Sequence, residues 1–187
     1  MAKIFFTSDL HFGHNRDFII EPRGFASIEA HDRTLIANWN KVVSPEDDVY
    51  ILGDLMLGDN AHGANCVRRL NGHLHLVRGN HDTDARWDFY SKNLPNMELL
   101  GWAHLMQVPH DCYTLYLTHW PALTANGRKK TLRREVINLY GHTHQGNSIN
   151  KNLPLGYHVG VDSNNNTPIL LDDIIKAVEY NYDKANF

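Results

Sequence analysis

Leu76-Val77-Arg78-Gly79-Asn80-His81-Asp82 sets an apolar run directly against three polar residues. The run from Leu74 to Val77 has the length and composition of a short buried strand, and it stops at Gly79. A strand that empties into Asn-His-Asp delivers those side chains to the carboxyl edge of a sheet, where open α/β folds bind their ligands. A single case would read equally well as a polar turn. The arrangement recurs, however. Ile4 to Thr7 ends in Ser8-Asp9-Leu10-His11, and Val49 to Leu52 ends in Gly53-Asp54. Tyr113 to Leu117 ends in Thr118-His119, and Val136 to Tyr140 ends in Gly141-His142-Thr143-His144. Five apolar runs that each deliver Asp, Asn or His are hard to explain by turn chemistry.

Outward from these runs, the spacing of apolar residues predicts the intervening elements. Ser27 reads as the cap of a helix from Ile28 to about Val43, with Ile28, Leu35, Ile36, Trp39 and Val42 on one stripe. Asn60 to Leu70 reads as a second, shorter helix, and Asp84 as the cap of a third from Ala85 to Asn93. The resulting β-α-β-α-β order suggests a partly parallel sheet with crossover helices. Met97-Leu100, Ala103-Val108 and Tyr113-Thr118 follow with short polar breaks, the spacing of antiparallel strands or a meander. Tyr157 to Val161 and Pro168 to Leu171 read as short strands. Asp172 reads as the cap of a last helix through about Tyr180, with a loosely held tail from Asn181 to Phe187. Leu10 to Arg23 reads as a loop with one helical turn.

Composition narrows the class. The 187 residues suggest a single domain over 1–187 with a sizeable core. A net charge of -3 exerts no global pull on nucleic acid or anionic membrane. No window approaches the roughly 18 apolar residues of a spanning helix, and Lys3 is followed by too short an apolar run for a signal peptide. The expected location is cytoplasmic. Cys66 and Cys112 form neither a metal-type spacing nor a disulfide framework and read as buried small hydrophobes. Thirteen histidines are an excess that raises the prospect of a metal site, although His31, His62 and His104 read as solvent-exposed scatter.

The strand ends together offer carboxylates (Asp9, Asp54), imidazoles (His11, His119, His142, His144) and the amide oxygen of Asn80. Mixed O and N donors without thiolate suit Mn, Fe, Zn, Co or Ni rather than Ca or a structural Zn-Cys site. Seven ligands are too many for one open catalytic metal and suit two, with one carboxylate bridging. Such paired ions, about 3.5–4 Å apart, clamp an in-line phosphoryl displacement. In Asp9-Leu10-His11 and His142-Thr143-His144, residues i and i+2 would converge if the backbone were extended. Gly53, Gly79 and Gly141 each precede a ligand and permit a sharp turn or a close backbone approach.

In this order, Asp9-Leu10-His11, Gly53-Asp54, Gly79-Asn80-His81-Asp82, His119 and Gly141-His142-Thr143-His144 resemble the D-x-H, GD, GNH[DE], H and GHxH blocks of the calcineurin-like metallophosphoesterase superfamily. The resemblance implies an α/β fold in which a two-sheet mixed β sandwich is flanked by helices. It implies that Asp9, His11 and His144 hold one divalent metal, that Asn80, His119 and His142 hold a second, and that Asp54 bridges. Manganese is the first expectation, with Fe, Ni, Zn or Co as alternatives. A water or hydroxide shared by the metals would be the nucleophile. His81 would stabilise the transition state or protonate the leaving oxygen, and Asp82 would either orient His81 or cap the following loop.

The expected reaction is hydrolysis of a small phosphomonoester or phosphodiester, a nucleotide among the candidates. The alternatives are a nuclease of the same superfamily, with nucleic acid not favoured as partner, and a catalytically weak protein-binding module. Leu57 and Gly58 stand where protein phosphatases of the superfamily carry Asp-Arg, which argues against a phosphoprotein substrate. Phe12-Gly13-His14-Asn15 resembles a small bacterial and phage branch of phosphoesterases. His14, Asn15 and Arg23 are candidate phosphate contacts, and the Arg128 to Lys130 cluster reads as a solvated loop. The sequence leaves the oligomeric state open.

Overall fold

The computed structural model describes residues 2–108, 113–124 and 132–185. The first sheet holds β1 (Ile4–Thr7), β2 (Asp48–Leu52), β3 (His73–Val77), β4 (Met97–Gly101) and β9 (Ile169–Leu170), in the order β4-β3-β2-β1-β9. The first four strands run parallel, and β9 pairs antiparallel with β1. The second sheet holds β5 (Ala103–Gln107), β6 (Thr114–Thr118), β7 (Val136–Tyr140) and β8 (Gly156–His158), in that order. There β5 and β6 are antiparallel, while β6, β7 and β8 are parallel. Five α-helices lie among the described residues: α1 (Asp17–Ile20), α2 (Ile28–Val42), α3 (Asn60–Val67), α4 (Asp84–Asn93) and α5 (Leu171–Ala185). None of them is long and apolar enough to cross a membrane.

The near-continuous apolar runs follow from burial of both faces of the first sheet. Along β1, Phe5 enters a core shared with α2, α3 and α4, while Phe6 enters a second core shared with the other sheet. The same alternation sends Val49 and Ile51 of β2 one way and Leu52 the other, and splits Leu76 from Val77 in β3. Leu115 and Leu117 of β6, Ile137 and Leu139 of β7, and Ile174 and Val178 of α5 complete the second core.

The sheet order positions the strand ends. Because β1, β2 and β3 are parallel neighbours in register (Thr7 with Ile51, Leu52 with Val77), their carboxyl ends lie side by side. The neighbouring parallel strands β6 and β7 likewise bring His119 beside Gly141 and His142, with the Gly141 amide donating to the His119 carbonyl at 3.0 Å.

Several expectations need correction. Met97 to Thr118 is not one meander, because β4 closes the first sheet while β5 opens the second; Gly101, at φ +82°, makes the corner. Thr83 rather than Asp84 caps α4, accepting from the Arg86 amide, because the helix begins one residue earlier than its stripe implies. The last helix starts at Leu171, so Asp172 lies in its first turn, and it continues through most of the supposedly loose tail. Tyr182, on that extension, packs against the second core. Cys112 and the Arg128 to Lys130 cluster lie outside the described residues. His31 is fully buried, His62 half-exposed and His104 half-buried.

Candidate metal centre

The five strand ends converge. Asp9 leaves β1, Asp54 leaves β2, Asn80 and His81 leave β3, His119 leaves β6, and His142 and His144 leave β7. Convergence does not arise from extended backbone. Asp9, His11, Asp54, His142 and His144 all adopt positive φ, between 48° and 70°. Each is a non-glycine residue in the left-handed region, at a cost of about 1–2 kcal/mol apiece. Asp and His tolerate that region better than branched residues. The chain therefore kinks at every one of these ligands, and between two kinks Leu10 turns into the first core. Backbone bonds hold the kinks: the Asp9 amide donates to the Gly53 carbonyl at 3.1 Å, and the His11 amide to the Asp54 carbonyl at 3.0 Å.

All three of the glycines before these ligands are required by crowding: a Cβ at Gly53 would stand 2.5 Å from His119 Nδ1 and 2.7 Å from the Gly79 Cα. A Cβ at Gly79 would stand 2.2 Å from Asp54 Oδ1, and one at Gly141 would stand 2.5 Å from Asp9 Oδ2.

The carboxylates are aimed by their neighbours. Asp9 accepts from Ser8 Oγ at 2.6 Å and from the His142 amide at 3.0 Å. Asp54 Oδ1 accepts from the His81 amide at 2.9 Å, which leaves Oδ2 facing His119 Nε2 at 3.4 Å and His11 Nε2 at 3.7 Å. Burial alone would push the Asp54 carboxyl up. The hydrogen bond and charge of His119, the charge of His11 and the His81 amide outweigh it and hold the group at about 2. Asp54 is thus an anion at any ordinary pH.

Two donor sets meet at this oxygen. Asp9 Oδ1, His11 Nε2 and His144 Nε2 form one, with 3.3 Å between the two imidazole nitrogens and 3.7 Å between His144 and Asp9. Asn80 Oδ1, 2.9 Å from both His119 Nε2 and His142 Nδ1, forms the other.

The donor chemistry asks for a cation. His119 Nδ1 donates to the Leu52 carbonyl at 2.8 Å, so in the neutral ring Nε2 is a lone pair. That lone pair faces Asn80 Oδ1 and Asp54 Oδ2, both acceptors. His144 repeats the logic: Nδ1 donates to Asp162 Oδ2 at 3.0 Å, which leaves Nε2 as a lone pair toward His11 and Asp9. Acceptors aimed at acceptors repel one another unless a proton or a metal ion lies between them. Without a metal that place is taken by a proton on His119, whose imidazole burial would lower but the hydrogen bond to Asp54 and the charges of Asp9 and Asp54 push up to about 8; a bound cation would displace it. The residues therefore fit a pair of divalent cations.

A cavity of about 350 Å³ opens onto this cluster, lined by His11, His14, Phe18, Asp54, His81 and His142 among others. His14 forms part of its wall, with its ring 5.3 Å from that of His11 and 6.3 Å from that of His81. Burial, followed by the charges of His81, Arg16 and Arg23, lowers the His14 imidazole to about 4, so it is neutral at pH 7. The other two candidate phosphate contacts are not brought to the cavity. Asn15 is exposed and outside the lining. Arg23 is consumed elsewhere: it grips Asp162 with two bonds of 2.8 and 2.9 Å, donates to the Asp9 carbonyl at 2.9 Å and meets His31 Nε2 at 2.9 Å. A guanidinium with its donors so engaged braces the metal-site loop and has little left for a phosphate.

Asp82 does not touch the His81 ring. Its carboxylate accepts from the amides of Asp54, Leu55 and Gly79 and from the Tyr90 hydroxyl, tying the ends of β2 and β3 together. Neither role expected from sequence describes it.

Asp162 is the residue that sequence reasoning missed. Its signal was present: Tyr157 to Val161 is a sixth apolar run, and it ends in Asp162. Burial raises the Asp162 carboxyl, but the hydrogen bonds from His144 and Arg23 outweigh this and hold it far below the usual range. A carboxylate behind a ligating imidazole fixes its tautomer and orientation. Asp162→Asn is expected to weaken metal binding about 10–100-fold by equilibrium dialysis. Unchanged affinity in a folded variant would remove Asp162 from this role.

Residues 2–159 match the family model described as the calcineurin-like phosphoesterase superfamily domain. The chain is similar to an uncharacterized protein of Methanocaldococcus jannaschii, 31% identical over 188 residues, covering 96% of this chain and 93% of that one. It is 34% identical over 185 residues to the gene 66 protein of Mycobacterium phage D29, covering 87% of this chain and 89% of that one. A solved structure of a protein of unknown function from Aquifex aeolicus has the same fold, with a TM-score of 0.68 at 23% identity, covering 95% of this chain and all of that one.

Proposed function

Because the chain belongs to the calcineurin-like phosphoesterase superfamily, we propose that it acts as one domain, a dinuclear metal-dependent phosphoesterase for a small phosphorylated substrate. The observation that carries this reading is the pair of acceptor sets sharing Asp54 Oδ2 at the floor of an open cavity. Asp9, His11 and His144 would hold one cation and Asn80, His119 and His142 the other, with the Asp54 carboxylate available to both. Manganese leads, since O and N donors without thiolate suit it; iron, nickel, zinc and cobalt suit the same set. Bound divalent ions supply charge for the phosphoryl oxygens and lower the pKa of water to near neutrality.

The chain's own groups do the rest. His81 is half-exposed at the cavity, with Nε2 3.9 Å from Asp54 Oδ2, and it coordinates nothing in either set. From there it holds a proton for the leaving oxygen or places positive charge beside the phosphoryl group. His14 beside it forms a neutral wall. Asp162 and the Leu52 carbonyl fix the tautomers of His144 and His119, so each ring presents a lone pair to its cation.

The test is a metal-dependent assay. Chelated protein is titrated with Mn, Ni, Zn and Mg against p-nitrophenyl phosphate, its bis ester and a 2′,3′-cyclic nucleotide. Turnover restored on one ester class is the expected result. Two metals bound per chain with no turnover on any ester would favour a binding role, and absence of metal binding would overturn the reading.

A further inference from the structure

A second mixed cluster sits behind the metal-site loop. Asp32 on α2 and His62 and Cys66 on α3 bring a carboxylate oxygen, an imidazole nitrogen and a thiol within 4.8 Å of one another. His62 and Cys66 are four residues apart, so both project from one face of α3. Cys66 Sγ lies 3.6 Å from His62 Nε2 and 3.8 Å from Asp32 Oδ2, and His62 Nε2 lies 2.7 Å from Asp32 Oδ2. Asp32 and Cys66 are buried, while the His62 side chain is 43% exposed.

We propose that Asp32, His62 and Cys66 form a third metal site that takes one zinc-class divalent cation.

Tetrahedral zinc, with bonds of about 2.3 Å to sulfur and 2.0–2.1 Å to nitrogen and oxygen, sets its ligands about 3.3–3.6 Å apart. Both sulfur separations are close to that spacing. Only the His62–Asp32 pair must open, by about 0.6 Å from its hydrogen bond, and the half-exposed histidine is free to make that shift. The carboxylate is already oriented by other donors. Oδ1 accepts from His31 Nδ1 at 2.8 Å, and Oδ2 accepts from the Gly13 amide at 3.1 Å, leaving one lone pair of Oδ2 for the cation. Thiolate with imidazole selects zinc-class ions over Mg and Ca. Burial, reinforced by Asp32, pushes the Cys66 thiol up to about 12. The thiol is therefore neutral without a cation. Coordination would form the sulfur–metal and Nε2–metal bonds: S–H breaks and releases one proton to solvent past exposed His62, and the proton that Nε2 of the neutral ring donates to Asp32 Oδ2 is exchanged through solvent to Nδ1, which leaves Nε2 as the lone pair. The fourth position, on the His62 side, is left to water.

The site bears on the first centre without sharing a ligand with it. Asp32 holds the Gly13 amide, between His11 and His14, and it continues through His31 and Arg23 to Asp162 and His144. A cation there would lock α2, α3 and this loop together.

Cobalt tests the site independently of any phosphoesterase activity. The first centre has no sulfur ligand, so a thiolate-to-cobalt charge-transfer band in the near ultraviolet reports the proposed site alone. The protein, apo and then titrated with Co(II), is expected to develop that band. Cys66→Ser should abolish it and Cys112→Ser should keep it. His62→Ala, at a half-exposed position the fold tolerates, should shift the titration at least about 10-fold toward higher cobalt. No band in the cobalt-saturated wild type, a band surviving Cys66→Ser, its loss in folded Cys112→Ser, or a titration indifferent to His62→Ala would each overturn the proposal. Should Cys66→Ser fail to fold, the His62→Ala titration decides.

Discussion

Asp54→Ala is expected to lose metal binding at both positions of the proposed dinuclear centre and to fall to background turnover. Oδ2 is the atom that faces both donor sets, and Oδ1 fixes the His81 amide. Its removal leaves Asp9 as the remaining carboxylate beside the buried imidazoles of His11 and His119, so the position held by Asn80, His119 and His142 loses its carboxylate and the other keeps one of two. Affinity should drop by more than the about 10–100-fold typical of residues behind the ligands. Alanine also introduces a backbone cost, since φ at this position is 55° and the left-handed region disfavours a side chain without a local hydrogen bond. Asp54→Asn separates the two effects. It keeps an acceptor for the His81 amide and suits the backbone, but it removes the charge. Metal counting by mass spectrometry on both variants makes the comparison. Two cations retained by Asp54→Asn at wild-type affinity would show that Asp54 is not shared.

Much of this centre could be read from the chain because the chemistry sits where hydrophobic pattern stops. Ile4–Thr7 and Val136–Tyr140 end abruptly at polar residues, and the parallel order of β1, β2 and β3 places three such ends together. What could not be read was how each ligand turns. The i, i+2 spacing of Asp9 and His11 suggested extended backbone, whereas both residues are left-handed kinks secured by carbonyls from the next strand end. Those bonds span more than forty residues and leave no local trace. Arg23 shows the same limit. A cation near the first ligand block suggests phosphate, yet its partners Asp162 and His31 come from segments that only the fold brings together. The two sheets were also not separable by periodicity, because a corner at Gly101 and a hairpin turn there have similar sequences.

His81→Ala is expected to separate catalysis from metal binding. The substitution removes a ring that joins neither donor set and leaves intact the backbone amide that holds Asp54 and the carbonyl that accepts from Arg86 at 3.0 Å. Metal content should stay near wild type, and turnover should fall about 10²–10⁴-fold. The leaving group then distinguishes two roles for the ring. A proton donor matters most when the departing oxygen is a poor leaving group, as in an alkyl phosphate, and little for p-nitrophenolate, which departs without protonation. If Nε2 delivers the proton, the loss on an alkyl ester will exceed the loss on the p-nitrophenyl ester. If the ring acts by placing charge beside the phosphoryl oxygens, the two losses will be equal. Full activity on both esters would remove His81 from the mechanism. A parallel loss of metal would mean that the ring supports the centre itself, which its half-exposed position outside both donor sets argues against.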